Sequence, residues 1–211
     1  MISPDTFVLK NGGCINGFEF DVFESDGSNL AEPETCPSCG RFVDLLTLTE
    51  PISGNLVAEK SLYDLSAHLG GEIVFSAKAR KEFNKHQVTG IKNVRKLGIL
   101  EVEGPFQIHE LDEYFLAQVS YGARIDRIRS GFRTTSAQLC DICGYSGIIE
   151  GVDRIALEQG SWSGADFFRV RELSGVVLMS ARLVQICTDA DLKVRCMLPS
   201  HSFSLSFEPD W

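Results

Sequence analysis

No apolar run in this sequence reaches the roughly 18–20 residues needed to span a bilayer. The opening stretch, "MISPDTFVLKNGG", carries neither a basic head nor an apolar signal core. Basic residues are outnumbered, 20 Lys and Arg against 29 Asp and Glu, for a formal charge of −9. A duplex or RNA binder normally shows a basic stripe, because neutralised phosphates supply most of its affinity. The densest basic stretch, Lys78 to Lys96, holds seven Lys or Arg and one Glu. The acidic whole therefore favours a neutral or basic protein partner over nucleic acid. Reactive constellations are scarce too. "GSWSG" at 160–164 is not Gly-x-Ser-x-Gly, "HELDE" at 109–113 lacks the second His of a zincin, and no Gly-Lys-Ser/Thr loop is present. These gaps point to a soluble, cytoplasmic, non-catalytic protein with no membrane partner.

The material for a core is ample: 211 residues, 44% hydrophobic, with 14 Phe. Seven cysteines are present. In a reducing compartment they are expected to bind metal or to pack as small apolar residues rather than to form disulfides. Core packing is the expectation for Cys14, Cys187 and Cys196. The scattered histidines, His68, His86, His109 and His201, read as surface or half-buried groups.

The chain reads as though written twice. "CPSCG" at 36–40 returns as "CDICG" at 140–144, and the same offset of 104 lays Leu69 on Leu173, Gly71 on Gly175, Ser76 on Ser180 and Ala77 on Ala181. "EIVF" and "VVLM", each preceded by Gly, are short apolar runs that suit buried strands. Ser76 and Ser180 are placed to cap helices, since a Ser oxygen accepts from the free N–H groups of a first turn. Behind them Ala79, Phe83 and His86, and Leu183, Val184 and Cys187, fall at helical spacing, with Gly90 as the expected end of the first helix. Further strands are expected at 17–23, 91–97, 99–104, 192–198 and 203–207, and 25–35 reads as a polar loop. "WSGADFFRVREL", 162–173, reads as a strand that packs two phenylalanines into the core. The expected fold is α+β, in two similar halves, 1–105 and 106–211, produced by internal duplication.

Two thiolates separated by two residues can grip one ion from a single tight turn, and the following Gly accepts a backbone conformation that a β-carbon resists. Cys36, Cys39, Cys140 and Cys143 together would form the closed tetrahedral S₄ site typical of structural Zn²⁺. The separation exceeds that of a compact zinc ribbon. An approximate two-fold relating the halves would bring the knuckles together on one shared ion, bridging the halves and contributing to folding. Thiol redox chemistry at a single Cys-x-x-Cys, oxidised or metal-free pairs, and two separate metal sites remain the alternatives.

The doubled motif, with "FSAKARKEF" at 75–83 and "GADFFRVREL…VVLMSARLVQ" between 164 and 185, resembles the double-CXXCG motif proteins, a paralogous family of myxobacteria tied to swarming-inhibition toxin systems. The four cysteines match the family's one for one. The resemblance implies an immunity protein: a cytoplasmic binder of a cognate, contact-delivered protein toxin, with no catalytic residue to carry over. A basic toxin would complement the negative charge of this chain. A zinc-ribbon-like nucleic-acid or transcription-associated module using residues 78–96 is the alternative from another functional class.

Overall fold

The computed structural model describes residues 5–10, 18–23, 35–43, 52–58, 60–135, 139–145 and 147–206. Its elements are, in order, β1 (Thr6–Leu9), β2 (Phe18–Phe23), β3 (Ile52–Ala58), β4 (Leu65–Ala67), β5 (Glu72–Ser76), α1 (Ala77–Lys85), β6 (Ile91–Glu103) and β7 (Tyr114–Val119). There follow β8 (Tyr121–Ala123), β9 (Arg133–Thr134), β10 (Ile149–Val152), β11 (Phe167–Val170), β12 (Leu173–Ser180), α2 (Ala181–Asp189), β13 (Met197–Pro199) and β14 (Leu205–Ser206). Helix and strand are both present, and strand predominates. The expected loop at 25–35 and Cys14 fall in stretches outside the described residues, except for Thr35.

Two large sheets organise the chain, in the orders β2-β3-β6-β7-β5-β4 and β13-β1-β12-β11-β8, beside a small sheet β14-β10-β9. The two large sheets share a four-strand pattern. The strand that runs into a helix, β5 or β12, pairs antiparallel with β4 or β11 on one side. On its other side it pairs antiparallel with β7 or β1, and that strand pairs antiparallel with the one following the helix, β6 or β13. Thus β1, from the start of the chain, lies in the sheet otherwise built from 121–199, and β7 lies in the sheet otherwise built from 18–103. Neither sheet closes without a strand from the other part of the sequence.

Side-chain alternation along these strands distributes the core. Phe75, Phe167 and Met179 enter one shared cluster with Phe83 of α1 and Leu183 of α2. Their neighbours Val74, Phe168 and Leu178 point to the opposite faces, into two separate clusters. The adjacent phenylalanines of "DFFRV" are therefore split between two cores, both fully buried. Within the shared cluster the Phe83 ring meets the edge of Phe167, with centroids 5.5 Å apart. Each such buried ring contributes about 1.5–3 kcal/mol through its removal from water.

The helices begin where the serines predict. Ser76 Oγ accepts from the N–H of Ala79 and Ser180 Oγ from that of Leu183. The first ends earlier than Gly90, and both close in the same way. Val88 donates to the carbonyl of Phe83, and Leu192 to that of Cys187, with Gln87 and Asp191 at φ 51 and 49. These are 6→1 closures carried by residues other than glycine. Gly90 serves a different need. It passes so near Phe167 that a β-carbon there would lie 1.8 Å from that residue's carbonyl oxygen. The following strand also differs from expectation. β6 continues through Gly98 to Glu103 because its second half pairs parallel with β3, whereas only the last two residues of the expected 192–198 strand lie in β13, which runs on to Pro199.

Two aspartates join each helix start to the exit of the other helix. Asp64 accepts from Ser76 Oγ (2.7 Å) and from the N–H of Lys193 (2.9 Å), just past α2. Asp166 accepts from Ser180 Oγ (3.1 Å) and from the N–H of Thr89 (3.0 Å), just past α1. Lys78 Nζ donates to the carbonyl of Asp191, and Arg182 Nη2 to that of His86, each at 2.5 Å. The serines, the cations and the amide donors Thr89 and Lys193 recur at a spacing of 104.

Candidate metal centre

Each Cys-x-x-Cys-Gly stretch folds into a tight knuckle with the same hydrogen bonds. Cys36 donates its N–H to Arg41 O (2.7 Å), and Gly40 donates to Cys36 O (2.8 Å). In the second copy Cys140 donates to Tyr145 O and Gly144 to Cys140 O, both at 2.8 Å. The chain can reverse so sharply because Gly40 and Gly144 stand at φ 69 and 76, where a β-carbon is disfavoured. An antiparallel bridge between Thr35 and Phe42 closes the first knuckle. The Tyr121 hydroxyl donates to Val43 O (2.6 Å) and fixes its exit, and Arg171 Nη1 donates to Ile142 O (3.0 Å) and fixes the second knuckle. Arg41 lies over the Tyr145 ring, 3.9 Å from its centroid. These residues, each just past its knuckle, stack across the junction.

The knuckles bring all four cysteines together. Cys36 Sγ lies 3.7 Å from Cys140 Sγ, 104 residues away, and Cys39 Sγ lies 3.5 Å from Cys143 Sγ. All four sulfurs fall within 4.8 Å of one another. A disulfide would require about 2.05 Å, and the four are free thiols. Zinc–sulfur bonds of about 2.3 Å in a tetrahedron place the sulfurs about 3.8 Å apart. The separations across the junction fit that figure, and the donor set is the all-thiolate one that structural zinc prefers.

The backbone polarises the sulfurs. The amides of Cys39 and Ser38 point at Cys36 and lower its pKa. Those of Cys143 and Ile142 hold Cys140 down to about 6. Burial pushes Cys143 up to about 12. Thiolate is therefore favoured at the first cysteine of each knuckle, where the turn presents N–H groups; thiolate is the form that binds metal.

The remaining sequence candidates stand apart from this cluster. Cys187 is buried in the shared core, as expected. Cys196 is disulfide-bonded, so it does not pack as a free thiol. His68 and His86 are half-buried beside Glu72 and Glu82, and His109 and His201 are exposed. Sequence reasoning missed an apolar cavity of about 510 Å³ beside the second knuckle, lined in part by Phe42, Tyr121, Cys143, Ile148 and Arg171. Its one legible signal is the set of apolar residues flanking the motifs. Among the described residues no helix is long and apolar enough to cross a membrane.

No protein-family model matches the chain, and no curated protein matches it.

Proposed function

We propose that this chain is a non-catalytic immunity protein of the double-CXXCG type, in which one Zn²⁺ held by Cys36, Cys39, Cys140 and Cys143 clamps two copies of a duplicated unit. The observation that carries the metal reading is the convergence of four free sulfurs, two from each of two matching knuckles, within 4.8 Å. The duplication is supported by the recurrence at 104 residues of knuckle, capping serine and helix closure, and by the shared four-strand pattern. With four protein ligands, such a site leaves no open position for a substrate. Its role is to brace a scaffold.

The immunity role rests on the resemblance of the doubled motif and its flanking segments. The partner is a cognate cytoplasm-targeted protein toxin, and a net charge of −9 suits a basic one through steering and charge complementarity. The test is co-expression with the product of the adjacent reading frame in a sensitive host. Growth rescued by this chain, together with a stable complex of the two purified proteins, is the expected result. Failure to bind that product, coupled with salt-dependent binding to DNA or RNA, would instead favour a nucleic-acid module.

A further inference from the structure

The four sulfurs differ in their access to solvent. Cys36 is 1% exposed, Cys140 and Cys143 are half-buried, and Cys39 is exposed. The pair Cys36–Cys140 is thus the inner contact and Cys39–Cys143 the outer one, and both run from one knuckle to the other. An open cavity of about 700 Å³ reaches Cys39 and Cys140 beside Arg41, Asp141 and Tyr145, and the 510 Å³ cavity reaches Cys143, whereas Cys36, the partner of Cys140, lines neither. A small polar oxidant can approach the outer pair from either side. The Cys187 thiol, 2% exposed in the core, offers no such approach.

We propose that Cys39 and Cys143 form an oxidation site, at which a peroxide links the two knuckles by a disulfide and dismantles the metal clamp. The inference rests on the metal reading above. The Cys39 thiolate attacks one oxygen of the peroxide, the O–O bond breaks, and the departing hydroxide takes a proton from solvent to leave as water. Cys39 is then a sulfenic acid. The Cys143 thiol attacks its sulfur, the S–O bond breaks as the S–S bond forms, and the departing hydroxide takes the thiol proton and leaves as water. The sulfurs give up two electrons and hydrogen peroxide accepts them, yielding two waters. The two sulfurs already stand 3.5 Å apart, against about 2.05 Å in a disulfide. Cys36 and Cys140 then remain alone as thiolates, too few for a closed tetrahedral set. The knuckles stay joined covalently while the ion is released, and a thiol reductant restores the original site.

The experiment uses the full chain, purified reduced, with its zinc content measured before exposure to a small excess of hydrogen peroxide. A chromogenic chelator follows metal release, and non-reducing peptide mapping follows the links. The expected result is release of about one zinc per chain in step with a Cys39–Cys143 linked peptide, reversed by thiol reductant and added zinc, with Cys187 unmodified. Links inside a knuckle (Cys36–Cys39 or Cys140–Cys143), first closure of the inner pair, or zinc retained with all four thiols intact would each overturn the site while leaving the metal reading standing. A preparation without zinc defeats the metal reading, and the peptide map of the same oxidised sample still decides the pairing.

Discussion

Thr89 donates both its backbone N–H (3.0 Å) and its hydroxyl (3.1 Å) to the carboxylate of Asp166, 77 residues further along. The same carboxylate accepts from Ser180 Oγ at 3.1 Å and from Arg182 Nη1 at 2.6 Å. Asp166 is only 3% exposed, so these partners take the place of water. Replacing it by Ala strands the buried Ser180 hydroxyl, takes the acceptor from Thr89 and Arg182, and unties the exit of α1 from the start of α2. The expected loss is about 3 kcal/mol, read from the denaturant midpoint. A loss below about 1 kcal/mol, typical of one ordinary hydrogen bond, would show that this lock contributes little.

The same residue sets an acid limit. Burial pushes the Asp166 carboxyl up, but the N–H and hydroxyl of Thr89 and the Arg182 guanidinium outweigh it and hold the group below its ordinary value. A carboxyl with a depressed folded pKa contributes stability that is fully present above the unfolded pKa, about 3.9, and is lost as pH falls through the folded value. Wild type should therefore lose stability as pH drops below about 4, more steeply than Asp166→Asn. Half-buried Glu82 and exposed Glu113, also held low by Lys85 and Lys96, are common to both proteins and cancel in the comparison. Parallel stability–pH curves for the two proteins would remove Asp166 from the acid response.

Much of this architecture announces itself locally. Apolar runs mark β5 and the end of β12, and serines just behind them mark both helix starts, because strand burial and capping depend on near neighbours. The cysteine set is legible because its members repeat. The aspartates are not, since their partners lie across the fold. Nothing beside Asp64 says that it will meet Lys193, 129 residues on. Only its place, 12 residues before Ser76 as Asp166 is 14 before Ser180, hints at a shared role. The exchange of β1 and β7 is equally silent, because alternation tells which face a strand buries and not which strand it pairs with. The end of α1 differs from the expected Gly90 for another reason: glycine is the usual left-handed closer, and here Gln87 adopts that conformation, as Asp191 does behind α2.

Metal removal should be costly in proportion to what the clamp holds. If zinc joins the knuckles, its binding free energy is part of the folding free energy. Stripping the ion with a strong chelator, or making Cys36→Ser, should cost at least about 4 kcal/mol, a fall of roughly 10 °C in melting temperature for a chain of this size. Readdition of zinc should restore the chelated wild type and leave the variant low. Calorimetry that finds equal melting temperatures with and without the chelator would mean that the shared and flanking cores hold the fold unaided.

The two knuckle glycines give a finer test, because they share a backbone conformation and differ in surroundings. Both have φ in the left-handed region, where a β-carbon costs about 1 kcal/mol. At Gly40 an added β-carbon would meet nothing within 4 Å, so Gly40→Ala should lose about 1 kcal/mol and no more. At Gly144 it would sit 3.3 Å from Arg171 Cβ and from Glu172 Oε1. Glu172 cannot easily yield: it is buried, accepts from the N–H of Ile125 at 3.0 Å and faces Arg124 at 3.5 Å. Arg171 in turn holds the carbonyl of Ile142 inside the knuckle. Gly144→Ala should therefore cost about 2 kcal/mol or more, and should weaken zinc in a competition assay by more than Gly40→Ala does. The reverse order would mean that the second knuckle is not braced by the 171–172 turn.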